Sequence, residues 1–182
     1  MRAIGRSFSA HPARLAGALL TLAALSATIW YLASPLFVRT YRNEALPSAT
    51  PALASGGAPT PTGVAIASSP TVAPRVLRSG ELGYVDAIHN GKGAVRLVDL
   101  GGTVLVRFDD VAITNAPDVH VYLSRETGGQ WSDATSLYLG ALKATNGSFN
   151  YEVPPATDLA SYRSVVVWCR AFRVLITWAD LA

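Results

Sequence analysis

The chain has 182 residues, half of them hydrophobic, which is enough for one domain with a packed core and additional segments. Its formal charge of +3 is unevenly distributed: residues 1–75 carry six Arg and one acid, whereas residues 76–182 carry nine Lys or Arg and eleven Asp or Glu. A domain that binds a phosphate backbone normally presents a basic face, so the mildly acidic C-terminal part argues against nucleic acid as a partner.

Residues 15–38 contain no charged side chain and are predicted to be a transmembrane signal anchor. A helix of this length extends about 36 Å, which exceeds the ~30 Å hydrocarbon core of a bilayer. Trp30 and Tyr31 lie near its end, where amphipathic rings favour the membrane interface. The arginines of residues 1–14 favour a cytoplasmic N-terminal tail. The sequence therefore predicts a single-pass protein of the cell membrane, with its C-terminal domain outside the cytoplasm.

A cleaved signal peptide is the alternative interpretation of the same segment. Ala24, Leu25 and Ser26 are small enough to resemble a peptidase site. The apolar run continues beyond Ser26, which favours the anchor. Both interpretations export the C-terminal domain.

Residues 39–75 are predicted to be a flexible linker. Of the 32 residues in 43–74, 25 are Ala, Pro, Ser, Thr or Gly, and none is aromatic. Such a segment cannot bury enough apolar surface to offset the entropy lost on ordering. It is expected to act as a spacer that holds residues 76–182 away from the membrane.

Residues 76–182 are predicted to form an all-β domain, because short β-rich runs alternate with turn residues and no window sustains a helical period. The first three strands are expected to form a meander. About eight strands in this length favour an antiparallel β-sandwich, with a small closed β-barrel as the alternative. The strands assigned from the pattern are 82–89, 94–100, 103–108, 118–124, 148–153, 164–170 and 172–178.

Cys169 is the only cysteine, so it has no partner for an intrachain disulfide. Alternation along 164–170 places it on the same face as Val165 and Val167, toward the apolar side. A buried thiol that acts as a small hydrophobe is the ordinary interpretation. Arg170 and Arg173 would activate the thiol only if the chain bent toward them.

Two histidines and three acids are the other candidates. His89 and His120 are residue types that ligate metal or haem, but two histidines far apart in sequence are more typical of solvent-facing or hydrogen-bonded side chains. Asp109, Asp110 and Asp118 flank the segment 109–117 and offer oxygen ligands, yet their spacing matches no calcium loop. No metal site is predicted from these residues.

The motifs of residues 80–181 resemble the DM13 family, a small extracytoplasmic β domain found alone on membrane anchors or beside DOMON and cytochrome b561-type modules. The order of the motifs and the Trp168-Cys169 pair make the resemblance specific, and Phe149 departs from it because a polar residue is usual there. The motifs are Gly80 and Gly93, Ala116-Pro117-Asp118-Val119, Tyr122-Leu123-Ser124, Leu139-Gly140-Ala141-Leu142-Lys143, Asn146-Gly147, Asn150-Tyr151-Glu152-Val153-Pro154, Asp158-Leu159, Tyr162, Ser164-Val165-Val166-Val167-Trp168-Cys169, Phe172 and Ala179-Asp180-Leu181.

The resemblance implies an electron-transfer role in which the cysteine matching Cys169 acts as a redox thiol or contacts haem, with Trp168 beside it. The leading hypothesis is therefore a membrane-tethered redox domain whose partner is an envelope redox protein. The alternative is a non-catalytic envelope interaction or adhesion module. In that case Cys169 is merely packed, and exposed aromatic residues such as Tyr122 or Trp131 bind the partner.

Overall fold

The computed structural model describes residues 12–47 and 73–182. They belong to two compact units, the first ending at Val38 and the second running from Arg39 to Ala182. The first unit contains the helix α1 (Pro12–Phe37). The described part of the second unit contains a 3-10 turn (Leu159–Ser161) and the strands β1 (Tyr41–Asn43), β2 (Arg75–Glu81), β3 (Gly91–Asp99), β4 (Val104–Ile113), β5 (Val119–Ser124), β6 (Ser136–Ala141), β7 (Asn146–Glu152), β8 (Ser164–Cys169) and β9 (Val174–Asp180).

The N-terminal helix predicted from the apolar run is present and extends over 26 residues. It begins at a proline, which is well suited to the first helical position because its missing N–H would have no partner there. Among the residues that the structure describes, no helix is both long and apolar enough to cross a membrane. The helix is thus confirmed, whereas its predicted span across a membrane is not shown.

The strands form two sheets, with the orders β1-β7-β4-β3-β2 and β6-β5-β8-β9. Neighbouring strands are antiparallel except for β1 and β7. The main core contains fully buried side chains from both sheets, such as Val106 and Phe108 of β4 and Val165 and Val167 of β8. The predicted all-β fold of two sheets is confirmed, and the described strands do not close into a barrel.

The first predicted strand, 82–89, is wrong. The strand β2 precedes it, and residues 82–90 form a loop with one isolated bridge between Tyr84 and Asn90. The carboxylate of Asp86 organises this loop, because Oδ1 accepts hydrogen bonds from the backbone N–H groups of Ile88 at 2.7 Å and His89 at 2.6 Å. Aspartate at such a position favours a turn over an extended strand. The predicted meander of 82–89, 94–100 and 103–108 is thus wrong in its first strand, and the meander of the structure consists of β2, β3 and β4.

The beginning of the predicted linker 39–75 belongs to the β domain. β1 pairs in parallel with β7, and Thr40 and Thr145 exchange hydrogen bonds between backbone N–H groups and hydroxyl oxygens at 2.9 and 3.0 Å. The carboxylate of Glu44 then accepts from the backbone N–H of Asn150 at 2.8 Å. Residues 39–44 carry aromatic and charged side chains, unlike the Ala- and Pro-rich stretch that follows. The remainder of the predicted linker, residues 48–72, lies outside the described residues.

Phe149, which departs from the family pattern, is part of the core. Phe149 exposes no surface, and its ring stacks on Phe108 with a centroid separation of 5.0 Å and an interplanar angle of 19°. Tyr151 meets both rings edge-on. The aromatic side chain therefore replaces a polar one by filling the space between the sheets.

Replacing Phe149 by alanine is expected to lower the free energy of unfolding by about 3 to 5 kcal/mol, because the substitution leaves a cavity next to Phe108. Urea denaturation of the full chain measures the change. Phe172→Ala is the matched control, since this ring is 51% exposed and its loss should change stability by only about 0.5 kcal/mol or less. Equal effects of the two substitutions would contradict the assigned packing.

The loop around Asp86 gives a prediction about pH. Hydrogen bonds from the His89 side chain, and then from the backbone N–H groups of His89 and Ile88, lower the pKa of Asp86 from 3.8 to about 2. Since the carboxyl pKa is lower in the folded state, its contribution to stability is present above pH 3.8 and is lost as the pH falls toward 2.

Asp86→Asn is therefore expected to reduce stability at neutral pH, and the difference from the natural sequence should shrink as the pH falls from 3.8 toward 2. Urea titrations across that interval measure the difference. Asp133→Asn, at an exposed aspartate, is the control. A difference that stays constant with pH would show that the carboxylate does not stabilise the loop.

Candidate functional site

Cys169 is the last residue of β8 and points into the core. Val165, Val167 and Cys169 all belong to the main core cluster and expose no surface, as their alternation predicts. The thiol Sγ donates a hydrogen bond to the carbonyl oxygen of Pro117 at 2.8 Å. In the register of β5 and β8, Cys169 lies opposite Val119, the first residue of β5. Pro117 lies two residues before Val119, which brings its carbonyl close to the thiol. The sulfur is held between the core and the segment leading into β5.

Trp168 points to the opposite face of the same sheet. Successive side chains of a strand alternate between faces, and the indole of Trp168 stacks on Trp131 with ring centroids 4.7 Å apart and planes at 16°. Arg170 is also on this outer side, where its Nε donates to the Tyr122 hydroxyl at 2.6 Å. The structure therefore does not bring Trp168 and the Cys169 thiol together, and Arg170 has a partner other than the thiol.

The surroundings of Cys169 do not fit a haem. A haem contact requires open space at the sulfur, whereas this residue exposes no surface and its thiol hydrogen is directed at the Pro117 carbonyl. The neighbouring side chains Val165 and Val167 are packed as in an ordinary core. In this arrangement the thiol acts as a packed side chain with one hydrogen bond.

A cavity of about 250 Å³ lies beside the segment that covers the thiol. Its walls are the residues on either side of Pro117 and at the start of β5, together with Thr40 before β1 and residues from the end of β6 to the turn before β7. Cys169 is not among them, but the residue that accepts its hydrogen bond sits within the lining segment. The lining residues are Thr40, Asn115, Ala116, Asp118, Val119, His120, Ala141, Leu142, Ala144 and Thr145.

His120 lies on the outer face of the second sheet but is buried there. The residue exposes 7% of its surface. Its Nε2 lies 2.6 Å from Asp118 Oδ1, and its Nδ1 lies 3.0 Å from the Tyr138 hydroxyl. The sequence allowed either a metal ligand or a hydrogen-bonded histidine at this position, and the structure shows the hydrogen-bonded side chain. His89 similarly contacts Asp86, with Nδ1 2.8 Å from Oδ2. The described ranges contain no group of three His, Cys, Asp or Glu side chains placed to hold a metal ion.

The three acids considered as a calcium loop are not brought together. Asp109 is on β4, where it pairs with Arg96 and with Arg107, the latter at 3.3 Å. Asp110 follows at a bulge with a positive φ of 48°. Asp118 lies beyond the end of β4 and contacts His120 instead. The carboxylates therefore serve separate ion pairs and hydrogen bonds.

Aromatic side chains cover the outer face of the second sheet. The ring centroids of Tyr122 lie 5.4 Å from those of both Trp131 and Tyr138. The Arg170 guanidinium lies over the Tyr138 ring, 4.6 Å from its centroid. We call this set the outer-face cluster, and it consists of His120, Tyr122, Trp131, Tyr138, Trp168 and Arg170.

The prediction that Tyr122 and Trp131 are exposed is wrong. Tyr122 exposes only 3% of its surface, and Trp131 is half-buried. The loop between β5 and β6 folds back over the sheet, because the Ser124 hydroxyl donates to the Gln130 carbonyl at 3.0 Å and thereby brings Trp131 onto Trp168. Burial raises the pKa of Tyr122, while the hydrogen bond from Arg170 opposes that shift.

The comparisons with known proteins give a family for the β domain. Residues 84–181 match the family model described as electron transfer DM13. No curated protein and no solved structure matches the chain. The matched region begins in the loop before β3, extends through β9, and includes both Trp168 and Cys169. Since this match covers more than half of the 182 residues, the chain belongs to the DM13 family.

Proposed function

We propose that this protein takes part in electron transfer outside the cytoplasm, with Cys169 as its redox thiol. The observation that carries the proposal is the match to the electron transfer DM13 model, which covers β3 to β9 of the sandwich and includes this cysteine. An exported domain lies in an oxidising environment. A single thiol can be oxidised there and can react with a thiol of another protein, even without a second cysteine in the chain. The proposed partner is another redox protein of the cell envelope.

The chemistry of Cys169 requires that the segment around Pro117 move. In the closed arrangement the thiol donates to the Pro117 carbonyl and exposes no surface. Ala116 and Asp118, on either side of Pro117, already line a cavity of about 250 Å³. A small displacement of this segment would connect the sulfur with that cavity, which makes the Pro117 segment the shortest supported route to the thiol.

Once reached, the thiol can be oxidised by a peroxide. One peroxide oxygen is transferred to sulfur, which gives a sulfenic acid, and the other leaves as water. A thiol of the partner protein then condenses with the sulfenic acid, forming a mixed disulfide and a second water. An intrachain disulfide is excluded because Cys169 is the only cysteine of the chain.

We further propose that α1 tethers the β domain to the cell membrane. The support comes from the sequence: residues 15–38 carry no charge, and aromatic residues lie near the end of the run. The side chains of residues 15–31 are exposed in the structure and are free to contact lipid. Haem remains a cofactor to test by absorption, although the surroundings of Cys169 in the closed arrangement do not accommodate it.

A second candidate function is a non-catalytic interaction module of the envelope. The complete burial of Cys169 and its hydrogen bond to a backbone carbonyl favour this candidate, since both are typical of a structural cysteine. The two candidates differ in whether the folded protein ever exposes its thiol.

The proposed route predicts that Cys169 of the folded full chain reacts with a small thiol reagent, slowly but faster than global unfolding allows. Pro117→Ala should raise the rate about two- to fivefold, because an opened segment without proline gains conformational entropy worth about 0.4 to 1 kcal/mol. The rate is measured under native conditions from the absorbance of the group that the reagent releases when it reacts with the thiol.

Pro154→Ala is the control for that experiment, because Pro154 lies in a different turn next to β7 and does not contact the thiol. Cys169→Ser provides the blank, since it removes the only thiol. If Cys169 reacts only at the rate of global unfolding in both proline variants, the redox proposal fails and the interaction module is retained.

The tether predicts that the full chain stays with the membrane fraction after an alkaline wash. Leu22→Arg should release part of it, because an arginine near the centre of a membrane helix costs about 3 kcal/mol on insertion scales. Val76→Arg, at a 53% exposed position of β2, is the matched control and should not change the distribution. Recovery of the unmodified chain in the wash would contradict the tether.

A further inference from the structure

We infer that Tyr138 is a redox-active tyrosine that gives up an electron while His120 takes up its phenolic proton. The site lies on the outer face of the second sheet, whereas the Cys169 thiol lies on the inner face. It goes beyond the proposed thiol chemistry and does not depend on it. The argument rests on three features: the direction of the hydrogen bonds, the position of Arg170, and the exposure of the Tyr138 ring.

The hydrogen bonds fix His120 as a proton acceptor toward Tyr138. A carboxylate only accepts hydrogen bonds, so the short contact of 2.6 Å between Asp118 Oδ1 and His120 Nε2 requires the hydrogen on Nε2. In the neutral imidazole Nδ1 is then the unprotonated nitrogen, and it lies 3.0 Å from the Tyr138 hydroxyl. The tyrosine O–H therefore points at a base that is already oriented to receive its proton.

The redox step balances within this arrangement. One electron passes from the Tyr138 phenol to an external metal oxidant of high potential, and the oxidation state of that metal falls by one. The phenolic O–H bond breaks, and the proton forms a new N–H bond at His120 Nδ1. The products are a neutral tyrosyl radical and an imidazolium that faces the Asp118 carboxylate. Reduction of the radical by one electron returns the proton to the phenol.

Arg170 makes electron loss without proton transfer unfavourable. Its guanidinium lies 4.6 Å from the centroid of the Tyr138 ring, so a tyrosine radical cation would be formed against a neighbouring positive charge. A neutral radical carries no such penalty at the ring, because the proton has moved from the phenol oxygen to His120 Nδ1. The position of Arg170 thus couples the electron to the proton.

Tyr122 has the same neighbours but a different hydrogen bond. Its hydroxyl accepts from Arg170 Nε at 2.6 Å, and burial raises its pKa. The group at its oxygen is thus a donor rather than a base. Tyr138 instead contacts an imidazole, so the two tyrosines are a natural pair for comparison.

Exposure suits Tyr138 to exchange electrons with an outside oxidant. Tyr138 is 46% exposed, whereas His120 is only 7% exposed. An oxidant can therefore approach the ring while the proton acceptor stays shielded from bulk water. The ring centroids of Tyr122, Trp131 and Trp168 continue at steps of 5.4, 5.4 and 4.7 Å, which are contact distances for aromatic side chains.

The test is photochemical oxidation of the full chain in detergent by a ruthenium(III) polypyridyl complex, with the tyrosyl radical followed by absorbance and electron paramagnetic resonance. Tyr31, Tyr41 and Tyr84 are more exposed than Tyr138 and contribute a background signal. Above it we expect a fast component of the radical signal that Tyr138→Phe removes and that Tyr122→Phe leaves in place. His120→Gln should slow radical formation at least about a hundredfold, at the low end of what a positioned base contributes. The rate should be lower in D₂O for the unmodified chain and insensitive to D₂O in His120→Gln.

A fast component that survives Tyr138→Phe would overturn the inference, as would an unchanged rate of that component in His120→Gln. If His120→Gln does not fold, Tyr138→Phe still decides the outcome, because this half-exposed ring can lose its hydroxyl without disturbing the core. Cys169→Ser separates the two proposals. It should retain the tyrosyl signal, and a thiol that never reacts leaves this inference intact.

Discussion

The pairing of β5 with β8 is the constraint on which both candidate sites depend. Its register places Val119 opposite Cys169 and His120 opposite Trp168. Since adjacent residues of a strand point to opposite faces, this one register directs the thiol into the core and directs His120, Tyr122 and Trp168 outward. A one-residue shift of β5 would turn the His120 imidazole in between the sheets, whereas a one-residue shift of β8 would turn the Cys169 thiol outward among the aromatic side chains. The hydrophobic core enforces the register, because Val121, Val165 and Val167 are completely buried.

The parts of this arrangement that follow a local rule were predictable from sequence. The alternation of Val165, Val167 and Cys169 gave the orientation of the thiol, and the two-sheet fold followed from many short strands. The burial of Tyr122 was not predictable, because it depends on the loop between β5 and β6 folding back through the Ser124 hydroxyl. The contact between His120 and Tyr138 likewise joins two strands whose pairing no local pattern specifies. β1 was missed because three residues acquire a strand conformation only by pairing with β7.

The two redox groups that we propose lie on opposite faces of the β5–β8 pair and are of different kinds. The thiol is sealed, donates its hydrogen to a carbonyl, and needs a structural opening before it can react. The Tyr138 phenol is half-exposed and already hydrogen-bonded to a base. A thiol exchanges two electrons through a covalent intermediate, whereas a phenol exchanges one electron with the release of a proton. The family assignment to electron transfer is compatible with both, but only the phenol is ready to react in the closed arrangement.

The segment between β4 and β5 joins the two sites. Pro117 accepts the thiol hydrogen through its carbonyl, and the next residue, Asp118, holds His120 through its carboxylate. Asp118 has a φ of 60°, a conformation that aspartate tolerates better than most residues, and its carbonyl accepts from the backbone N–H of Arg170 at 3.0 Å. Any motion of this segment that uncovers Cys169 must therefore also move the carboxylate that orients His120. The opening that uncovers the thiol would displace the carboxylate that orients His120 toward Tyr138, so in the two proposals the segment around Pro117 and Asp118 affects both groups.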